Sequence, residues 1–256
     1  MFSIIFSLRY VTDQNSSMCD LWLGFGSPSA LSNWGCSANR VPIISACSWS
    51  SVSCDSNNCG MVTGIFFNGI RIPGTLSSSL GQLTSLNTFV VEFSSELHGT
   101  LPLSVGSLSN LNLFGVTYSS INGTIPSEYN QLTSLTYLAL YGNSLSGSIP
   151  DIFYNMRSIS SLNLDSNVLT GAVPPSVCAL TNIIYLYLKQ NKLSCYPTCV
   201  LNAPNPGTTL PVADPNALIP GGGGATYGSK TGTLTRLQVS GKGLDPAGNN
   251  TCEAGN

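Results

Sequence analysis

Apolar positions recur with a step of 24 residues through the middle of the chain. The segments "LTSLTYLALYGNSLSGSIP" (132–150), "MRSISSLNLDSNVLTGAVP" (156–174) and "LTNIIYLYLKQNKLSCYP" (180–197) superpose directly. Leu132, Met156 and Leu180 fall in phase, as do Leu138, Leu162 and Leu186, and Asn143, Asn167 and Asn191. One unit earlier, "LSNLNLFGVTYSSINGTIP" (108–126) keeps the step with Ser119 in the Asn column. "LTSLNTFVVEFSSELHGTLP" (83–102) has one extra residue near Ser94–Glu96, and "VTGIFFNGIRIPGTL" (62–76) is a leading partial copy. The alternation at Leu138 and Leu140 is that of a short strand with one face buried. Leu132 and Leu135 close the unit on its far side, and Leu145 and Ile149 return to the interior. The Asn column is placed to satisfy backbone groups in the turn after the strand. No such unit can bury its apolar face alone, so neighbours must stack. The pattern predicts one parallel strand per unit and an irregular or 3-10 return.

The repetition covers residues 62–202, about five to six units, and then stops. At 195 the expected Gly is Cys195, Pro197 comes one residue early and Cys199 follows, which marks a terminal unit with no neighbour to cover it. Residues 203–256 are rich in Pro and Gly and read as a flexible tail. Within it, "TLTRLQVSG" (233–241) has strand character but no evident partner. "GGATYGSKT" (223–231) has the wrong spacing for a phosphate loop and lacks the flanking strand and helix. Residues 30–61 read as an N-terminal cap. Residues 1–29 open with "MFSIIFSLRY", whose short apolar run lacks a preceding basic region. It is expected to be a weak leader or the truncated start of a longer gene product.

Composition narrows the function classes. Charged residues are 8% and net charge is −2, so no global field attracts nucleic acid or anionic lipid. No segment reaches the ~20 apolar residues of a membrane span. The nine cysteines cluster at the two ends of the chain, a distribution that suits end staples in an oxidising compartment. At the C-terminal end, Cys195 and Cys199 can bond each other, or Cys199 can pair with Cys178. With one histidine, His98, and no matched Cys/His spacing, neither a metal site nor a catalytic triad is expected, and no cofactor is implied. Glu92 and Asp165 share a strand position three units apart, about 14 Å at ~4.8 Å per strand, too far for paired-carboxylate glycoside hydrolysis. Of the sequons at Asn15, Asn122 and Asn249, Asn122 is the best placed for a glycan.

The L-x-x-L-x-x-L-x-L-x-x-N-x-L-x-G-x-I-P form of 132–174 resembles the plant-type extracellular leucine-rich repeats. That family includes plant receptor-kinase ectodomains and polygalacturonase-inhibiting proteins, with similar secreted or surface proteins in algae and protists. "CSWSSVSCD" (47–55) followed by "VTGI" (62–65) looks like the family's N-terminal cap. The resemblance implies a Cys47–Cys54 disulfide, with Trp49 and Val52 covering the open end of the core and Trp34 on the first unit. It also implies an α/β solenoid: a short right-handed superhelix with its parallel strands on the concave face and a 3-10 or irregular convex side. The inhibitors have roughly twice as many repeats, and the early units here lack the Asn, which leaves their turn geometry open.

Residues expected to point out of the strand face include Tyr118, Tyr137, Tyr141, Asp165, Tyr185, Tyr187 and Lys189. Tyrosine is enriched where proteins meet partners, although it also suits any strand surface. The leading expectation is a non-catalytic extracellular or cell-surface recognition module that binds a protein, a peptide or a wall polysaccharide. The alternative is a structural or adhesion component of a wall or coat, retained through an unpaired cysteine. A wall hydrolase ranks third, for want of a close carboxylate pair.

Overall fold

The computed structural model describes residues 14–55, 61–197 and 236–238. Its main sheet has eight strands in the order β1-β2-β3-β5-β7-β9-β11-β13. These are β1 (Val52–Cys54), β2 (Val62–Asn68), β3 (Thr88–Glu92), β5 (Leu113–Thr117), β7 (Tyr137–Ala139), β9 (Ser161–Asn163), β11 (Tyr185–Tyr187) and β13 (Arg236–Gln238). From β2 to β11 each unit contributes one strand, paired in parallel with the strand of the next unit. The register follows the 24-residue step, with Phe114 opposite Leu138 and Leu138 opposite Leu162. A second strand in each unit from 83 onward forms two smaller parallel sheets. One comprises β4 (His98–Thr100), β6 (Ser120–Gly123) and β8 (Ser144–Leu145), the other β10 (Thr170–Ala172) and β12 (Lys192–Cys195). The chain returns through 3-10 turns at Ser78–Gln82, Leu103–Ser107, Ser127–Gln131, Phe153–Asn155 and Pro175–Ala179.

The core is one continuous cluster between these layers, in which every repeat leucine named above is buried. Asn143, Asn167 and Asn191 form the expected ladder. Asn167 Nδ2 donates to the carbonyls of Leu140 (2.9 Å), Leu164 (3.2 Å) and Asp165 (3.1 Å), and its Oδ1 accepts from Leu145 N–H at 3.0 Å. Each Asn thus ties its own turn to the preceding unit. In the early units a serine does part of this work. Ser94 Oγ accepts from Ile72 N–H (3.0 Å) and donates to Ile70 O (2.8 Å).

The ends differ from the sequence reading in two ways. The segment read as a weak leader contains helix α1 (14–24), whose Met18, Leu21 and following Phe25 are buried in the core. It is fastened by a Cys19–Cys36 disulfide, which the spacing did not indicate. The Cys47–Cys54 disulfide implied by the resemblance is present. Trp34 and Trp49 pack 4.5 Å apart between ring centroids, and Trp34 lies 5.3 Å from Phe67 of β2, so the cap closes the core with aromatic rings. At the other end, the stretch without an evident partner supplies β13, whose Arg236–Gln238 pair in parallel with Tyr185–Tyr187. The sheet therefore has eight strands rather than the six of the repeats, because β1 joins one edge and β13 the other. Cys178 and Cys195 are both disulfide-bonded, while Cys199 and the 223–231 loop lie outside the described residues.

Candidate functional site

One face of the main sheet packs on the core and the other faces away from it. Along β3, Phe89 and Val91 belong to the core cluster, whereas Val90 and Glu92 do not. The far face is less open than strand alternation suggests. Val90, Leu113, Ser161 and Asn163 are buried there although they lie outside the core cluster. So are two residues expected to be exposed contacts: Tyr141 is 4% exposed and Tyr187 is 8% exposed. Their rings pack within the face, Tyr141 edge-on to Tyr118 at 5.0 Å and Tyr187 stacked on Tyr185 at 6.1 Å. Substituting either would therefore disturb packing as well as contact. Tyr137 and Tyr185 are partly exposed.

The residue that follows each strand pair carries a backbone signature. Gly69, Phe93, Tyr118, Gly142, Ser166 and Gln190, one per unit, all have φ between 46° and 69°. The repeat demands a left-handed residue at this turn. Glycine meets the demand freely at Gly69 and Gly142, while a bulky side chain is strained there by roughly 1–2 kcal/mol. Phe93 (φ 53°) and Tyr118 (φ 46°) accept that strain and are 45% and 40% exposed. Their rings stack at 4.7 Å with 13° between planes. A Cβ at Gly142 would lie 2.7 Å from Tyr118 Cδ1, so the tyrosine ring lies down over that glycine. Sequence reasoning found Tyr118 but passed over Phe93. The signal was in the column itself, where two aromatics share a position with glycine and serine.

Beside the ring stack lies Glu92, 6% exposed, in register with Thr117, which is fully buried. Thr117 Oγ1 has no hydrogen-bond partner among the described residues. Among the described residues the ion pairs use Asp20 and Glu96, not Glu92. Burial raises the Glu92 pKa above the ordinary carboxylate value. Farther along the same row, Asp165 is pushed up to about 6, chiefly by burial, against the opposing effects of Lys189 N–H and the Lys189 charge. The Lys189 N–H donates to Asp165 Oδ1, so these two candidates are brought together. Asn122 is exposed on β6, away from this face.

A pH dependence follows for Asp165. Between pH ~4 and ~6 the folded chain holds a proton that the unfolded chain has released, so stability falls as pH rises through that window. The shift from 3.8 to about 6 corresponds to roughly 1–3 kcal/mol after allowance for solvent screening. Asp165→Asn keeps an oxygen for Lys189 N–H. It is expected to match the parent melting temperature near pH 4 and exceed it at pH 7. A parent advantage at pH 7 would contradict the burial account.

Among the described residues, no cluster of His, Cys, Asp and Glu could hold a metal ion, and no helix is long and apolar enough to cross a membrane. No family model matches the chain, and no curated protein matches it. Solved structures do. A plant ice-binding protein aligns over 70% of this chain and 56% of its own, with 22% identity and TM-score 0.59. The leucine-rich-repeat ectodomain of the Arabidopsis thaliana receptor kinase SOBIR1 aligns over 71% and 94%, with 20% identity and TM-score 0.60. The ectodomain of the Arabidopsis receptor kinase HAESA, solved with an N-terminally extended IDA peptide hormone, aligns over 74% and 31%, with 26% identity and TM-score 0.63. This chain thus spans about half of the ice-binding protein and a third of the HAESA ectodomain. With its unit-by-unit parallel sheet, asparagine ladder and disulfide-fastened cap, the chain has the leucine-rich-repeat fold of these plant proteins.

Proposed function

We propose that this chain is a non-catalytic recognition module, secreted or on the cell surface, that takes a peptide or protein segment along the far face of its main sheet. On this reading the stack is a short right-handed solenoid with that sheet on its concave side, framed by the cap at 14–55 and the terminal unit near 197. The carrying observation is the strained, exposed Phe93–Tyr118 ring stack at a turn where glycine serves elsewhere. Strain of this kind persists where it has a use, and aromatic anchors dominate binding energetics. HAESA was solved with a peptide hormone on a related fold, which supports a peptide over a wall polysaccharide. Six repeat strands give a face of about 500 Å² at ~4.8 Å per strand, below the ~800 Å² per partner of a standard protein interface. An extended peptide or the edge of a larger partner fits that area.

The test is a double replacement, Phe93→Gly with Tyr118→Gly. It removes both rings and relieves both left-handed positions. The melting temperature is expected to hold or rise, while retention of secreted peptides on the immobilised chain falls at least thirtyfold, about 2 kcal/mol. Equal retention by parent and variant places recognition elsewhere.

One observation favours a second reading, binding to ice or another crystalline hydroxyl surface. On the small-sheet side, Thr75, Thr100, Thr124 and Ser148 are exposed at one position per unit. Neighbouring columns pack closely, since a Cβ at Gly123 would lie 2.9 Å from Thr100 Cγ2. In register Thr75 lies opposite His98, Thr100 opposite Asn122 and Ser148 opposite Thr170, so the hydroxyls recur once per unit along an oblique row. Asn122 lies on the same side, so a glycan there would obstruct the row. Inhibition of ice recrystallisation by the parent, lost in Thr100→Tyr with Thr124→Tyr, would establish this reading; no inhibition by the parent removes it.

A further inference from the structure

We propose that Glu92 and Thr117, beside the Phe93–Tyr118 ring stack, form a subsite for an arginine side chain of the bound segment. This deepens the reading of the sheet's far face as a peptide surface and rests on it. Glu92 projects on the side of the sheet opposite the core, between buried Val91 and exposed Phe93. It is more than nine-tenths buried and makes no ion pair with a described residue. Among the described residues, the hydroxyl directly in register with it, Thr117 Oγ1, is buried and unpartnered. A buried hydroxyl without a partner, beside a carboxylate without a cation, is costly unless something arrives to satisfy them. Burial also raises the Glu92 pKa with no cation to offset it. Asn68, paired with Glu92 on the other side, is exposed and adds a further polar edge.

The missing partner must donate several hydrogen bonds, carry positive charge and present a flat surface to aromatic rings. A guanidinium does all three. Its planar fork has five N–H donors for the carboxylate and the hydroxyl, and it stacks on aromatic faces better than an ammonium does. Lysine supplies the charge without the plane. Citrulline supplies the plane without the charge.

The experiment titrates the full chain with Ac-Gly-Arg-Gly-NH2 and with its lysine and citrulline counterparts, following amide and ring signals of Phe93 and Tyr118 by NMR. Saturable shifts are expected with the arginine peptide, about tenfold weaker binding with lysine and still weaker binding with citrulline. Glu92→Gln should lower arginine affinity at least tenfold while the melting temperature holds or rises. Thr117→Val, close in shape, should lower it a few-fold. Equal shifts with arginine and citrulline, or unchanged affinity in Glu92→Gln, overturn the cation subsite while leaving the face a peptide surface. Absence of shifts with all three peptides overturns the subsite, while the far-face reading stands or falls on the Phe93→Gly, Tyr118→Gly retention test.

Discussion

Replacing Asn167 with alanine is expected to destabilise the fold by about 3 kcal/mol, a fall in melting temperature of roughly 6–12 °C for a chain of this size. The side chain is buried and makes four hydrogen bonds, three donated to carbonyls and one accepted from Leu145 N–H. Alanine leaves Leu140 O and Leu145 N–H, both on the preceding unit, without that partner inside an apolar surround. Each orphaned buried group costs about 1–3 kcal/mol, and the figures do not add fully. Ser94 indicates what a shorter residue can retain, since its hydroxyl makes two bonds to Ile72 N–H and Ile70 O. Asn167→Ser should therefore lie between parent and alanine. Hydrogen exchange localises the effect, because the Leu145 amide should lose protection before the cap does. A fall below about 1 kcal/mol would mean that water or a backbone shift replaces the ladder.

The repeats were legible because their burial pattern is local and periodic. Each 24-residue step names its own strand and core leucines, and from 132 onward its asparagine, and stacking of similar units leaves little freedom in register. The Cys47–Cys54 bridge was legible only through resemblance, because seven residues of separation alone do not determine a pairing. Helix α1 was hidden by its place near the start, where an apolar stretch invites a leader reading. Its signal was present, since Gln14, Met18, Leu21 and Phe25 recur at helical spacing and are all buried. β13 could not be found in the same way. Three residues carry no period, and their partner β11 lies some fifty residues back along the chain.

The far face of the main sheet was half legible. Strand alternation correctly separated inward from outward columns. It could not tell which outward side chains the face itself would cover, and so overrated Tyr141 and Tyr187. Exposure there depends on contacts between adjacent units rather than on parity. The column after the strand was more informative than any single tyrosine. Gly69 and Gly142 reveal a left-handed turn, and against that background Phe93 and Tyr118 are the residues that need a reason.

Gly74→Ala is expected to have an effect of similar size at the opposite end, by a steric route. A Cβ at Gly74 would lie 2.1 Å from Gly24 O, 2.4 Å from Phe25 C and 2.7 Å from Phe25 Cα, all of them backbone. No rotamer change can relieve such contacts, so the end of α1 must move off the first unit. That motion breaks the 2.6 Å hydrogen bond from Thr75 N–H to Gly24 O. It also pulls Phe25 from Phe67, which it meets edge-on at 5.6 Å, and from Trp34 at 6.4 Å. Partial exposure of Met18, Leu21 and Phe25, each contributing about 1.5–3 kcal/mol when buried, sets the expected cost at roughly 2–4 kcal/mol. The Cys19–Cys36 bridge holds the helix nearby, so displacement rather than release is the predicted state. Amides of 17–25 should exchange faster while Leu145 keeps its protection, the reverse of the Asn167→Ala pattern. If Gly74→Ala instead left the melting temperature unchanged, α1 would be an appendage, and the core would close on Trp34 and Trp49 without it.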